Sequence, residues 1–343
     1  MIDQATSDKT RTDQISPAVG LDVGTSRIVV AQRAGQEFRY ESQLNAFVTL
    51  PHSKITQTAF EREKVPHAVV GGEISVHGNE SQRFATYVNA EMRRPMTHGV
   101  LDAKESDSLR VIRDILSSML PAASSREKQK LCFTIPAAPL GAGNTLTYHE
   151  TTLRQILSEL GYQPVAINEG LAVIYSELES SNYTGIGISC GGGLCNVCLA
   201  YLSVPVVSFS VPKAGDFIDS SAASVTGERS HFIRLAKEDS FHFNGFFADK
   251  IHQVIGVYYD DMIRSLVAAL KDAFAKTPNM PAFNRPIPMV LSGGTALPAG
   301  FRDRFEKILW EQDFPVQISE IRMSHDPLHS TAKGALVYAL SDL

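Results

Sequence analysis

One pattern restricts this chain more than any other, and it occurs twice. Residues 20–31 read "GLDVGTSRIVVA" and residues 185–200 read "GIGISCGGGLCNVCLA". Each is an apolar, β-branched run, a glycine-containing turn and a second apolar run, the signature of a β-hairpin. "FRYESQL" (38–44) alternates as a third antiparallel strand after the first hairpin, and "PVVSFSV" (205–211) follows the second. The 343 residues exceed what one simple core accommodates, so two domains or a split domain are expected. Two related α/β halves fit this order of elements.

The rest of the chain supplies helices and strands to both halves. "SDSLRVIRDILSSML" places Leu109, Ile112, Ile115, Leu116 and Met119 at helical spacing, and Pro121 ends it. "LCFTI" (131–135) is a buried strand. Residues 149–160 form a helix with Gly161 at its C-terminal cap. "PVAI" (164–167) is a short strand leading into "NEGLAVIYSEL". There Asn168 caps a helix whose inner face is Leu171, Ala172, Tyr175 and Leu178. Further helices are predicted at 216–224, 228–238, 248–275, 300–310 and 326–340. The inner face of the longest carries Ile251, Val254, Ile255, Tyr258, Met262, Leu266 and Leu270. "PMVLSGG" (288–294) and "PVQI" (315–318) read as strands. Between residues 51 and 98, prolines and Gly71-Gly72 allow only short elements.

Composition narrows the function classes. The net charge of −5 gives no basic excess for a nucleic-acid partner. No apolar run approaches the roughly 18 residues of a membrane span. Residues 1–16 are polar, lack the apolar stretch of a signal peptide, and read as a disordered tail. Without a secretion signal, the four cysteines suggest free thiols in a reducing cytoplasm. Cys190, Cys195 and Cys198 have the spacing of three ligands of an iron–sulfur site. The fourth cysteine, Cys132, falls on a strand of the other half. Cys195 and Cys198 point to opposite faces of a hairpin strand, so buried structural thiols are the better reading. "FHFNGFF" (241–247) is either aromatic core or an exposed adhesive loop.

Four separated stretches resemble one superfamily. "GLDVGTSRIVVA" resembles the first phosphate loop of the fold shared by actin, heat-shock chaperones and sugar kinases. "INEGLAVIYSEL" (167–178) is similar to its first connecting helix, "SCGGGLCNV" (189–197) to its second phosphate loop, and "MVLSGGTALPAGF" (289–301) to its adenosine motif. The matches span residues 18–340. The implied fold class is α/β: an actin-like ATPase (ribonuclease H-like) fold, with two related α/β domains around a nucleotide cleft. "RRPMTHGVLDAKESD" (93–107), "AGDFID" (214–219) and "HDPLHSTAKGALV" (325–337) are most similar to bacterial actins of the MreB type. The cell-division actin FtsA shares "GLDVGTS" almost as well. The resemblance implies domain I over 17–166, domain II over 167–325 and a C-terminal helix at 326–343 that returns to domain I.

It also implies ATP and magnesium in the cleft. Glycine turns let backbone N–H groups converge on an anion without Cβ interference. Gly24, Thr25 and Ser26 would hold phosphate from one half, and Gly191, Gly192 and Gly193 from the other. Asp22 is the implied magnesium residue, a hard oxygen ligand acting through water. Glu169 would orient the attacking water. Gly215, Gly293 and Gly294 complete the nucleotide set, with Lys237 and Glu238 lining the adenine pocket. Singly, such residues are ordinary turn formers and first-turn helix acids.

The second phosphate loop departs from the family. Ser189 and Asn196 stand where acids belong, and Leu194 and Cys195 where threonines do. Gly170 replaces a proline, and Ala214 replaces a glycine where it would crowd a phosphate or ribose. These changes imply slow hydrolysis, or binding without hydrolysis. The leading expectation is a filament of identical subunits joined head to tail. It would organise cell shape or another spatial process from the cytoplasm, with envelope or membrane-associated proteins as further partners. A nucleotide-binding scaffold or switch with little hydrolysis is the alternative. A small-molecule kinase is disfavoured, because no motif supplies a carboxylate base over an acceptor hydroxyl.

Overall fold

The computed structural model describes residues 18–121, 129–139, 146–243, 246–247 and 249–341. The tail expected over residues 1–16 lies outside them.

The first half opens with β1 (Val19–Val23), β2 (Arg27–Ala34) and β3 (Glu37–Leu44). An outer lobe follows: β4 (Phe47–Pro51), α1 (Lys54–Arg62), β5 (His67–Val70), β6 (Glu73–His77) and α2 (Glu80–Val88). The chain returns through β7 (Met96–Thr97), β8 (Val100–Leu101), α3 (Ser108–Met119), β9 (Gln129–Ile135), α4 (Thr147–Glu159) and β10 (Tyr162–Asn168). The second half contains α5 (Glu169–Glu177), β11 (Gly185–Cys190), β12 (Cys195–Tyr201), β13 (Val204–Val211), α6 (Gly215–Thr226), α7 (Ser230–Asp239) and α8 (Lys250–Lys276). It closes with β14 (Ile287–Ser292), α9 (Phe301–Trp310), β15 (Ile318–Met323) and α10 (Ser330–Ser341).

The two main sheets share one topology. Their orders are β3-β2-β1-β9-β10 and β13-β12-β11-β14-β15. In each, the first three strands form an antiparallel meander and the last two join it in parallel. Each sheet is covered on both faces, as parallel strands require. One face of the first sheet packs on Val111, Ile112, Ile115 and Leu116 of α3 and on Leu153, Ile156 and Leu157 of α4. One face of the second packs on α6, α8 and α9 through Ile218, Met262, Leu266 and Phe305, among others.

The inner faces meet through two helices. Ala332, Ala335, Leu336 and Ala339 of α10 lie on Ala18, Val29 and Ala31 of the first sheet. Leu171, Val173 and Ile174 of α5 lie on Cys198, Ala200 and Val290 of the second. Small residues bring α5 and α10 together: a Cβ built on Gly334 would stand 1.8 Å from the Ala172 carbonyl oxygen. A Cβ on Gly20 of β1 would meet the Ala332 carbonyl oxygen at 2.2 Å.

Several local expectations differ from the structure. Leu109 is 41% exposed, and Val111 takes its place on the buried face of α3. Tyr259, not Tyr258, is fully buried on α8, where its hydroxyl donates to the Thr295 carbonyl. No strand forms at 315–317; the pairing run is Ile318–Met323, because register against β14 outweighs the apolar "PV". Residues 51–98 hold more than short pieces, with two nine-residue helices on a three-stranded sheet. Ala214 turns its side chain into the core beside Ile218 rather than crowding the cleft. In the aromatic run, Phe241 is buried and Phe243 and Phe247 pack beside it, whereas Phe246 is exposed.

Gly334→Ala should lower unfolding stability by about 3 kcal/mol, because backbone on both helices would have to move. Urea denaturation checks this; an unchanged midpoint would show that the α5–α10 contact is loose.

Candidate functional site

The two equivalent hairpins face each other across the junction of the halves. A cavity of about 440 Å³ lies between them, lined by both turns and by the starts of α5, α6 and α10. It is within the size range of small-molecule sites. Every residue singled out from sequence lines it: Asp22, Gly24, Thr25, Ser26, Glu169, Gly191, Gly192, Gly193, Gly215, Lys237, Glu238, Gly293 and Gly294.

The turns touch across the gap. A Cβ on Gly192 would meet Ser26 Oγ at 2.3 Å, and one on Gly193 would meet Thr25 Oγ1 at 2.5 Å. At Gly193 the Cβ would also meet the Gly99 backbone nitrogen at 2.6 Å, so only glycine fits there. Gly24 N–H closes its own turn on the Arg27 carbonyl at 2.9 Å, and Gly191 N–H does the same on Leu194 at 2.9 Å. The N–H groups of Thr25, Ser26, Gly192 and Gly193 have no protein acceptor among the described residues. Four amide donors in two facing turns form an anion cradle. The Thr25 hydroxyl is already engaged, accepting from Gly99 N–H at 3.1 Å.

Two carboxylates stand at the base of the cradle. Asp22 ends β1, and its two oxygens accept from Thr134 Oγ1 at 2.5 Å and Thr331 Oγ1 at 2.6 Å. Burial raises its pKa above the ordinary carboxylate value, against those two hydrogen bonds. Glu169 opens α5, and Asn168 Oδ1 caps that helix by accepting from Gly170 N–H at 2.9 Å. Burial and then the negative charge of Asp22 push the Glu169 carboxyl up to about 8. The hydrogen bond that Ser189 Oγ donates to Glu169 Oε2 at 3.2 Å opposes the rise.

These two facing acids fit magnesium. The donors are hard oxygens, and a divalent cation would offset the burial that lifts both pKa values and the Asp22 charge that lifts Glu169 further. Among the described residues no group of three or more His, Cys, Asp or Glu converges as a metal cage. Magnesium ordinarily takes one or two carboxylates, with phosphates and water completing its shell. Ser189 and Asn196 pair across β11 and β12 in the places of the missing acids. Asn196 Oδ1 is occupied, accepting from Ala137 N–H of the first half at 2.9 Å.

The cysteines are free and buried. Cys195 lies in the core shared with α6 and α8, Cys198 in the core against α5, and Cys132 under α10.

The far end of the cavity differs from the sequence expectation in detail. Lys237 is buried and spends its charge on Asp219, 2.6 Å away, while also donating to the Gly215 carbonyl at 3.1 Å. Glu238 is half exposed. Sequence reasoning missed several wall residues: Asp216, Asp219, Arg234, Tyr259, Thr295 and Thr331. Asp216 and Asp219 belong to the "AGDFID" motif, which had nominated only its glycine. Thr331 lies in the "HDPLHSTAKGALV" segment, from which no site residue was named.

Residues 18–339 match the family described as Volactin. The chain belongs to the volactin family. An actin-like protein, MamK of Magnetospirillum gryphiswaldense, is 24% identical over 66% of this chain and 59% of its own length. The volactin-family chain therefore matches about three fifths of that curated relative. Among solved structures, one titled "MamK double helical filament" superposes with a TM-score of 0.71 at 17% identity, covering 94% of this chain and 98% of that one. MreB 5 of Spiroplasma citri, bound to AMPPNP, gives 0.68 at 14% identity, covering 95% and 96%. The fold of this volactin-family protein is thus the actin-like one that the phosphate-loop motifs implied, and MreB-type actins share it. No helix among the described residues is long and apolar enough to cross a membrane.

The raised Glu169 pKa has a stability consequence with a definite sign. Between its ordinary value near 4.5 and about 8, the folded protein holds a proton that the unfolded chain has released. Stability without ligand should therefore fall as pH rises through that window. Glu169→Gln removes this slope and should be more stable than wild type at pH 8, by on the order of 3 kcal/mol. Urea unfolding of both proteins at pH 5, 6.5 and 8 measures it; parallel pH profiles would show that Glu169 is ionised throughout.

Proposed function

We propose that this protein binds ATP with magnesium in the interlobe cavity and assembles head to tail into filaments. The observation that carries the reading is the anion cradle of two facing glycine turns closed over a pair of acids. Support comes from relatives: the similar MreB 5 was solved with AMPPNP bound, and the similar MamK as a filament. As in other actin-like proteins, the filament would organise cell shape or another spatial process. Envelope or membrane-associated proteins are further partners in this proposal.

Each residue has an assigned part. The free N–H groups of Thr25, Ser26, Gly192 and Gly193 bind phosphate oxygens from opposite lobes. Gly293 and Gly294 leave room for the nucleoside, and Gly215 begins α6 beside it. Lys237 braces α6 against α7 through Asp219, and its charge is largely spent there; Glu238 borders the base. Asp22 and Glu169 would hold the magnesium, whose charge would offset that of the phosphates and favour the ionised carboxyls. Ionised Glu169, steadied by the Ser189 hydroxyl, orients a water for attack.

A second reading has its own observation. Ser189 and Asn196 bring no charge to the second loop, so ATP would act chiefly as a structural ligand that closes the lobes. Turnover separates the two readings.

ATP affinity should be about tenfold or more weaker without magnesium, measured by titration with a fluorescent analogue; equal affinities would remove the metal assignment. Light scattering and sedimentation should show assembly with ATP and magnesium; monomers under every nucleotide condition would remove the filament. Glu169→Ala should slow phosphate release about 100-fold if hydrolysis occurs. Ser189→Asp should raise it, and unchanged turnover would show that the lost acid is not limiting.

A further inference from the structure

The outer ends of the two halves are joined by one ion pair among the described residues. Arg94 Nη1 donates to Asp216 Oδ1 at 2.7 Å. The two residues come from two of the three MreB-like segments, "RRPMTHGV" and "AGDFID", which lie far apart in sequence.

Both ends of the contact are held in place. Pro95 follows Arg94 and restricts its backbone to extended conformations. Asp216 lies in the first turn of α6, and its N–H donates to the Gly192 carbonyl at 2.8 Å. A Cβ on Gly192 would come within 3.6 Å of Asp216 Oδ1. The pair therefore runs from the outer lobe of the first half to the edge of the second glycine turn. A longer contact, Arg229 Nη1 to Asn89 Oδ1 at 3.4 Å, lies farther out.

The pair also divides two spaces. A second cavity, of about 560 Å³, lies between α2 and α7. Asp216, Asp219 and Arg234 line both cavities, and Arg94 lines only the outer one. Arg234 is largely buried beside Arg94; burial first, then the charge of Arg94, lowers its pKa. Two guanidinium groups thus crowd the carboxylates of this partition. Arg94 and Asp216 keep side-chain exposures of 23% and 37%, so water and salt can reach them.

We propose that Arg94 and Asp216 form a latch that holds the outer lobes together and sets how fast bound nucleotide is exchanged. The proposal rests on the nucleotide reading above for its kinetic consequence, but not for the closure itself. A pair this accessible changes an opening equilibrium only several-fold. That range suits a reversible gate better than a permanent clamp.

The test is a double-mutant cycle with two readouts. Arg94→Gln, Asp216→Asn and the double variant are compared with wild type and with the charge-reversed R94D/D216R. Release of a fluorescent ATP analogue, chased with ATP and magnesium, should be about three- to fivefold faster in either single variant. The double variant should be no faster than the singles, and the reversed pair should recover part of the wild-type rate. Wild-type release should accelerate with salt more than release from Arg94→Gln. Without nucleotide, hydrogen exchange over residues 89–95 and in α7 should rise in both single variants. Unchanged release and exchange in the single variants, or strictly additive effects, would overturn the latch. Should the wild type bind no nucleotide, the ATP reading fails, and hydrogen exchange still decides whether the pair closes the lobes.

Discussion

The crossing of α5 and α10 is the contact on which the site depends. Each helix covers the inner face of a different sheet, and they meet where Gly334 admits the Ala172 carbonyl. The same two helices carry site residues at their N-termini. Glu169 opens α5, and Thr331, in the first turn of α10, donates to Asp22. A bulkier seam would part the sheets and pull Asp22 from Glu169 together with the glycine turns they support. The small-residue contact is thus both a packing solution and the element that sets the width of the cleft.

Within that frame the electrostatics are unbalanced in an informative way. Burial raises the pKa of both acids, the charge of Asp22 adds to the rise at Glu169, and only neutral donors answer them: Thr134, Thr331 and Ser189. Lys237, a buried cation lining the same cavity, is committed to Asp219. The base of the cradle therefore holds more acid than the protein neutralises, and the turns above it hold more N–H donors than the protein satisfies. A bound anion with its own cation resolves both. Replacement of the second-loop acids by Ser189 and Asn196 keeps hydrogen bonding to Glu169 but reduces the negative charge that would grip the cation.

The sequence by itself determined much of this protein. Both hairpins, their glycine turns and the Asn168 cap are local features, set by β-branched runs, by the freedom of glycine and by a side chain that reaches its own helix start. The resemblance to the actin-like motifs nominated site residues that all line the cavity, because those motifs sit at strand ends and helix starts that the shared topology brings together. What the sequence could not decide was set by distant partners. Leu109 satisfies helical spacing but faces solvent, because the sheet selects Val111 from the same turn. The last strand forms at 318–323 because β14 pairs there, beyond the expected 315–318 run. Ala214 packs inward because α6 meets α8. Lys237 matches a nucleotide residue by position, yet it turns to Asp219, since a buried cation takes the nearest carboxylate. Thr331 reaches Asp22 across almost the whole chain, and Arg94 reaches Asp216 across the cleft. Neither contact has a sequence period or a local signature, so only the tertiary structure could show them.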